Sequence, residues 1–299
     1  MSSYPSRIVC LTEETTETLY LLGAGDRIVG VSGYTVRPPD ARRKPRVSAF
    51  LNANFAKIDA LRPDLILAFS DLQREIVKEL IARGYTVVTF NQRSVAEILR
   101  MIRMLGGLVG LQPDAEALAT RLERGLDAIR ESAARFPWRP RVFFEEWDDP
   151  LISGIRWVDE LIEMAGGTPV FGELRDKGLA KDRIVTLDAA AARDPEVVMA
   201  SWCGKAVRKR TILERPGWAH VTALNAGQVH EVKSTYILQP GPAALTEGVR
   251  QIHALLARAL DVSVDPALAP EEPLDQKPLP YLMPLAAAAR PSAPPIESV

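Results

Sequence analysis

Three landmarks in the first half of the chain return in the same order in the second, and this recurrence limits the fold more than any other feature. Leu22-Gly23-Ala24-Gly25 resembles Met164-Ala165-Gly166-Gly167, each a helix end closed by glycine ahead of an apolar strand. Ala60-Leu61-Arg62-Pro63-Asp64-Leu65-Ile66-Leu67-Ala68 resembles Ala192-Arg193-Asp194-Pro195-Glu196-Val197-Val198-Met199-Ala200, a helix end, a proline stop and a buried strand. Gly84 matches Gly227, each between a helix and a strand. The offsets are about 130–145 residues, as expected if one lobe architecture is used twice. Coincidental similarity between α/β units is the alternative.

The chain has 299 residues, too many for one ordinary core and enough for two α/β lobes with extensions. Hydrophobic residues make up 47% and charged residues 25%, ordinary values for a soluble globular chain. Lys and Arg number 37 against 38 for Asp and Glu, so no global positive field gathers nucleic acid or anionic lipid. No uncharged apolar run reaches the ~18 residues of a spanning helix. Neither nucleic-acid binding nor membrane insertion is expected. The only cysteines are Cys10 and Cys203, too far apart for a disulfide framework or metal-ligand spacing. Met1 to Arg7 lacks the basic start, apolar stretch and cleavage site of a secretory signal. A cytoplasmic location is therefore expected, or a periplasmic one if the start codon is wrongly assigned.

Apolar runs at Arg7 to Leu11, Ile28 to Val31, Leu65 to Ala68 and Thr86 to Phe90 read as strands, and Thr15 to Leu22, Asn54 to Leu61 and Leu72 to Arg83 as helices between them. This alternation predicts a largely parallel sheet. From Ser94 to Arg135 the pattern is helical, with a fresh start at Pro113 and Asp114. The second of these helices reads as a rigid strut between lobes. A second α/β series follows, with strands at Val142 to Glu145, Val197 to Ala200 and Val229 to Val232 and a last helix from Ala243 to Leu260. The expected organisation is a first lobe over 1–111, a connecting long helix over 112–138 and a second lobe over 139–260. Residues 261–299, rich in Pro and Ala, read as a disordered or surface-draped tail that Tyr281, Leu282 and Met283 could anchor.

These segments resemble a known family. Arg7-Ile8-Val9-Cys10-Leu11, the stretch from Leu21 to Ser32, Pro38-Pro39 and Leu61 to Ala68 look like the first lobe of the cobalamin-binding branch of the cobalamin and iron-chelate periplasmic binding proteins. Arg141 to Leu151, Met164 to Gly167, Arg215-Pro216-Gly217-Trp218 and Pro240-Gly241-Pro242 look like its second lobe. The ordered set covers roughly residues 5–260, although each motif alone is weak. The resemblance implies two similar α/β lobes with mainly parallel sheets, one long connecting helix and a ligand cleft between lobes. It also implies delivery of solutes to an ABC importer, without catalysis.

A flat amphipathic macrocycle is held by aromatic and apolar contact plus a few polar groups. Tyr34 and Phe50 fall where the family's cobalamin binders place cleft aromatics, and Trp147 and Trp202 follow predicted strands of the second lobe. These four are expected to face one another across the cleft; packing within a lobe core is the alternative for each. Where cobalamin binders carry an acidic and a basic residue before Pro-Gly-Pro, this chain has Thr235 and Gln239, with Tyr236 nearby. A different or less polar ligand becomes credible. The family docks to its importer through one acidic residue per lobe. Here those positions read as Ala56 and Asp188, so one charge is missing and an importer partner is in doubt.

His220, His230 and His253 are scattered, the first and last in helical patterns and His230 in a strand, so no metal site is expected. The Thr and Glu residues from Thr12 to Glu17 read first as helix capping and second as a polar cleft rim. Glu145, Glu146, Asp148 and Asp149 could perform acid–base chemistry only if burial separated their pKa values, and strand neighbours point to opposite faces. Cys203 has no partner His by spacing. No catalytic residue is expected and no cofactor is required. Cobalamin or another corrinoid enters as a ligand. The leading reading is a cytosolic binder of such a bulky chelate or macrocycle. The alternatives are an importer's receptor for cobalamin or an iron-siderophore, and an enzyme or regulatory protein on the same scaffold.

Overall fold

A computed structural model describes residues 3–274. The first lobe runs β1 (Ile8–Cys10), α1 (Glu13–Leu21), β2 (Ile28–Ser32), β3 (Arg46–Ala49), β4 (Asn52–Ala53), α2 (Phe55–Leu61), β5 (Leu65–Phe69), α3 (Arg74–Ala82) and β6 (Val87–Phe90). Its six strands are ordered β4-β3-β2-β1-β5-β6. All neighbours are parallel except β3 and β4. Every residue of β5 is buried, because helices cover both faces of a parallel sheet. The helix α2 starts where the Asn54 side chain accepts the Lys57 N–H, and stops at Arg62 in the left-handed region ahead of Pro63.

Two helices follow, α4 (Val95–Leu108), opened by a Ser94–Glu97 capping box, and α5 (Gln112–Ala133), opened by proline. With 22 residues, α5 is roughly 33 Å long. The second lobe comprises β7 (Arg141–Asp148), β8 (Leu151–Ser153), α6 (Arg156–Met164), β9 (Thr168–Pro169), α7 (Leu187–Ala192), β10 (Val197–Ala200), α8 (Lys209–Leu213), α9 (Thr222–Asn225), β11 (Val229–Glu231), α10 (Ser234–Ile237) and α11 (Val249–Ala259). Its sheet is ordered β11-β10-β7-β8, with β9 also paired to β7.

The lobes are not sealed from each other. One apolar cluster takes in Leu19 and Leu67 of the first lobe, Ile102, Leu118 and Leu122 of the connecting helices, and Val142, Trp157 and Ile252 of the second. A polar pin fixes the strut: His253 Nδ1 donates to the Ala165 carbonyl at 3.0 Å, and its Nε2 meets the Ser132 hydroxyl at 2.9 Å. Phe136 stacks on the ring at 5.0 Å. Burial lowers the His253 pKa, which keeps the ring neutral, with one donor and one acceptor nitrogen.

Two sequence expectations change, and for residues 261–274 the surface-draped alternative is the one observed. The last helix opens with a π turn over Ala244–Gly248 before α11 begins, where Gly248 packs against the Tyr236 carbonyl so closely that a Cβ would lie 2.6 Å from it. His220 lies in a turn, outside any helix. Residues 261–274 of the expected tail lie along the second lobe: Leu268 and Leu274 pack on the core, and the Glu271 and Glu272 N–H groups donate to the buried Glu247 carboxylate at 2.9 and 3.2 Å. Tyr281, Leu282 and Met283 lie outside the described residues.

Candidate ligand-binding cleft

Both sheets direct the loops after their parallel strands toward one crevice, the usual place for ligands in open α/β sheets. The crevice is a cavity of about 1090 Å³, at the upper end of the roughly 300–1,000 Å³ of small-molecule sites. The loop after β2 brings Tyr34, the loop after β3 brings Phe50 and Leu51, and the turn after β5 brings Leu72. Tyr34, Leu51 and Leu72 are 54%, 60% and 45% exposed. From the second lobe Ile155 and Trp157 reach the cavity at the start of α6. Trp157 is nearly buried, and its Nε1 donates to the Ile237 carbonyl at 2.9 Å.

The base of the cleft is a cross-lobe latch. Gly241 sits on α1, where a Cβ would lie 2.6 Å from the Cβ of Glu14. Gln92 Nε2 donates to the Pro240 carbonyl at 3.0 Å and the Ala243 N–H to Glu17 at 3.1 Å. Glu17 also pairs with Arg37. The Thr12 side chain does not cap α1, contrary to the capping expectation. Its hydroxyl donates to Glu14 at 2.5 Å, while the Ser32 hydroxyl donates to Glu13 at 3.2 Å. Both carboxyl groups line the cavity.

Burial pushes the Glu14 pKa up to about 8 and raises that of Glu13. The folded protein therefore keeps a proton on Glu14 that the unfolded chain releases. That contribution to stability is complete below the ordinary carboxyl range and is lost as pH rises through about 8. The thermal midpoint should fall between about pH 5 and about pH 8, and the fall should be shallower in Glu14→Gln, which stays neutral. Asp159, raised to about 7 by burial, supplies a share of the slope that the variant retains. Equal slopes in both proteins would contradict the assignment to Glu14.

The acidic cluster of β7 is divided among separate cations. Glu145, fully buried, is held by Arg215 at 2.6 and 2.8 Å. Glu146 lines the cavity and accepts from Arg183 at 2.7 and 3.1 Å, and Asp148 meets Lys205 at 2.6 Å. From the first lobe, Arg93 reaches the same region over the Phe69 ring at 5.0 Å. Cys203 lines the wall with its pKa raised by burial, so it is a thiol and a weak nucleophile at neutral pH. Among the described residues no group of three or more His, Cys, Asp or Glu could hold a metal ion, and no helix is long and apolar enough to cross a membrane.

Of the residues chosen from sequence, Tyr34, Phe50, Thr235 and Gln239 line the cavity. Trp147, Trp202 and Tyr236 do not. Trp202 is 2% exposed and packs in the second lobe's own cluster with Phe143 and Trp218. Its Nε1 donates to Glu145 at 3.0 Å. Trp147 packs against the same cluster under Lys205, because successive side chains of a strand alternate faces and Glu146 takes the cleft side. Tyr236 is turned behind the wall, under Arg37 at 5.4 Å. Leu51, Leu72, Trp157, Arg93 and Arg183 are lining residues that sequence reasoning missed; only the position of Leu51 beside Phe50 signalled any of them. Ala56 and Asp188 are exposed second residues of α2 and α7, one on each lobe.

Two lobes, a strut helix and a cleft at the strand ends are the form of a solute-binding protein. The chain belongs to the periplasmic binding protein family, whose model matches residues 8–236. An uncharacterized ABC transporter substrate-binding lipoprotein, YvrC of Bacillus subtilis, is 27% identical over 261 residues, 83% of this chain and 79% of the relative. The vitamin B12-binding protein of Vibrio cholerae is 26% identical over 255 residues, 82% of this chain and 87% of that protein. The crystal structure of the vitamin B12-binding protein BtuF of Vibrio cholerae has a TM-score of 0.67 at 25% identity, covering 84% of this chain and 96% of the other. The haem-binding protein BhuT, solved with two haems, has a TM-score of 0.72 at 25% identity, covering 85% and 98%.

Proposed function

We propose that this protein captures a bulky chelate or macrocycle, a cobalamin-like corrinoid foremost, in the interlobe cleft and releases it unchanged. The observation that carries the reading is the cavity of about 1090 Å³ whose first-lobe wall exposes Tyr34, Leu51 and Leu72 beside Phe50. Large apolar groups left open to water in a concave site mark a surface that a ligand covers. The vitamin B12-binding and haem-binding relatives support a macrocycle. Release without reaction is supported by the division of the β7 carboxylates among separate cations and by the substrate-binding designation of the Bacillus relative. That designation also supports an ABC importer as the receiving partner. Asp188 offers it one exposed acidic contact, and Ala56 offers none on the other lobe. The shared core and the latch at Pro240 to Ala243 support a cleft whose width changes little on binding. Titration of the purified protein with a corrinoid panel and haem tests the reading: saturable one-site binding of a macrocycle is expected, and failure of every member to bind would overturn it.

A further inference from the structure

The two walls of the cleft differ in charge, and the difference follows the lobe boundary. The first-lobe wall is chiefly apolar, with the two carboxyl groups of α1 held by hydroxyls and Arg93 laid over an aromatic ring. Three lysines reach the second-lobe wall on three separate segments: Lys181 ahead of α7, Lys205 after β10 and Lys233 after β11. Lys205 is committed to Asp148. The carboxylates of this wall are engaged as well, Glu146 by the Arg183 fork and Glu231 by the Val207 N–H. Among the described residues Lys181 and Lys233 have no ion-pair partner. Arg183, 1% exposed and lining the same wall, has an Nε with no acceptor.

A lysine on a convex surface is ordinarily just solvated. Here two ammonium groups without an ion-pair partner among the described residues border one concavity in a chain of net charge −1, and low-dielectric walls strengthen their combined field. Resting on the macrocycle reading above, we infer that the solute presents anionic substituents, carboxylates or a phosphate, to the second-lobe wall while its apolar face lies on Tyr34, Phe50 and Leu51. The ligand class is an acid-bearing macrocycle, and a fully amidated, phosphate-free one is discriminated against. Lysine suits this task as a mobile point charge that meets either kind of anion without a fixed geometry.

Three corrinoids separate the sources of charge: cobyrinic acid carries carboxylates, cyanocobalamin carries amides and a phosphodiester, and cobinamide carries amides alone. Each is titrated against the wild type and Lys181→Gln/Lys233→Gln, two exposed positions whose change leaves the core untouched; circular dichroism of the variant checks its fold. At least one anion-bearing ligand should bind about tenfold more tightly than cobinamide, and the gap should shrink in the double variant and with added salt. Whichever ligand shows the gap identifies carboxylate or phosphate as the anion. Cobinamide binding as tightly as both others, or a gap unchanged in the double variant, overturns the inference and leaves the macrocycle reading standing. Binding of none of the three nor of haem overturns both.

Discussion

Replacing Arg215 by Met should destabilise the protein by about 3–5 kcal/mol, because the change leaves the Glu145 carboxylate buried without a counter-charge. Glu145 has no exposed surface and Arg215 is 7% exposed at its side chain, so water cannot stand in for the lost guanidinium. Trp202 would remain as one neutral donor at 3.0 Å, too little to hold an ionised carboxylate in the lobe core. The double variant Glu145→Gln/Arg215→Met keeps an acceptor for Trp202 and removes both charges. It should recover roughly 1–3 kcal/mol of the loss. Urea unfolding of the wild type and both variants measures this, and a double variant no more stable than Arg215→Met would show that the charge left behind is not the cause.

Gly106→Val should be nearly as damaging, for a steric reason. Gly106 lies where α4 crosses α5, and a Cβ there would come within 2.1 Å of the Ala115 Cβ and 3.0 Å of the Leu111 carbonyl. Neither contact is the end of a flexible side chain, so the helices must part at the joint that aligns the lobes. A loss of about 3 kcal/mol or more is expected. Its neighbour Gly107 has open space around the same position. Gly107→Ala should be neutral or stabilising by up to about 1 kcal/mol, since glycine is the poorer helix former. Thermal unfolding of the two variants gives opposite signs on this account. Equal losses would mean that α4 tolerates no change at all, irrespective of space.

The elements that sequence reading placed well are those whose signals are local. Glycine and proline punctuation, the buried run Leu65 to Ala68 and the Pro113 helix start each act over a few residues, and together they locate the lobes, the strut and the strand ends that open on the cleft. Trp202 was misread for want of a distant partner: its polar edge is spent on Glu145, which Arg215 fixes from 70 residues away. At β7 alternation puts Glu146 and Trp147 on opposite faces but does not say which face opens on the cleft; the structure gives it to Glu146. The lysine wall was illegible because Lys181, Lys205 and Lys233 are each unremarkable in sequence and meet only through folding. Residues 261–274 gave no period, since their hold on the lobe is two widely spaced leucines, Leu268 and Leu274, and Glu247 accepting two backbone N–H groups, not a continuous apolar stripe.

The proposed site makes the apolar first-lobe wall of the cleft, rather than Trp147 or Trp202 of the second lobe, the surface that grips the solute. Calorimetric titration of a corrinoid that binds the wild type, repeated with Phe50→Ala and Trp202→Ala, tests it most directly. Phe50→Ala should weaken binding by about 1–3 kcal/mol with little change in melting temperature. Trp202→Ala should lower stability by about 3–5 kcal/mol and, while folded, bind nearly as the wild type does. Wild-type affinity in Phe50→Ala together with lost affinity in a folded Trp202→Ala would contradict the assignment of the cleft.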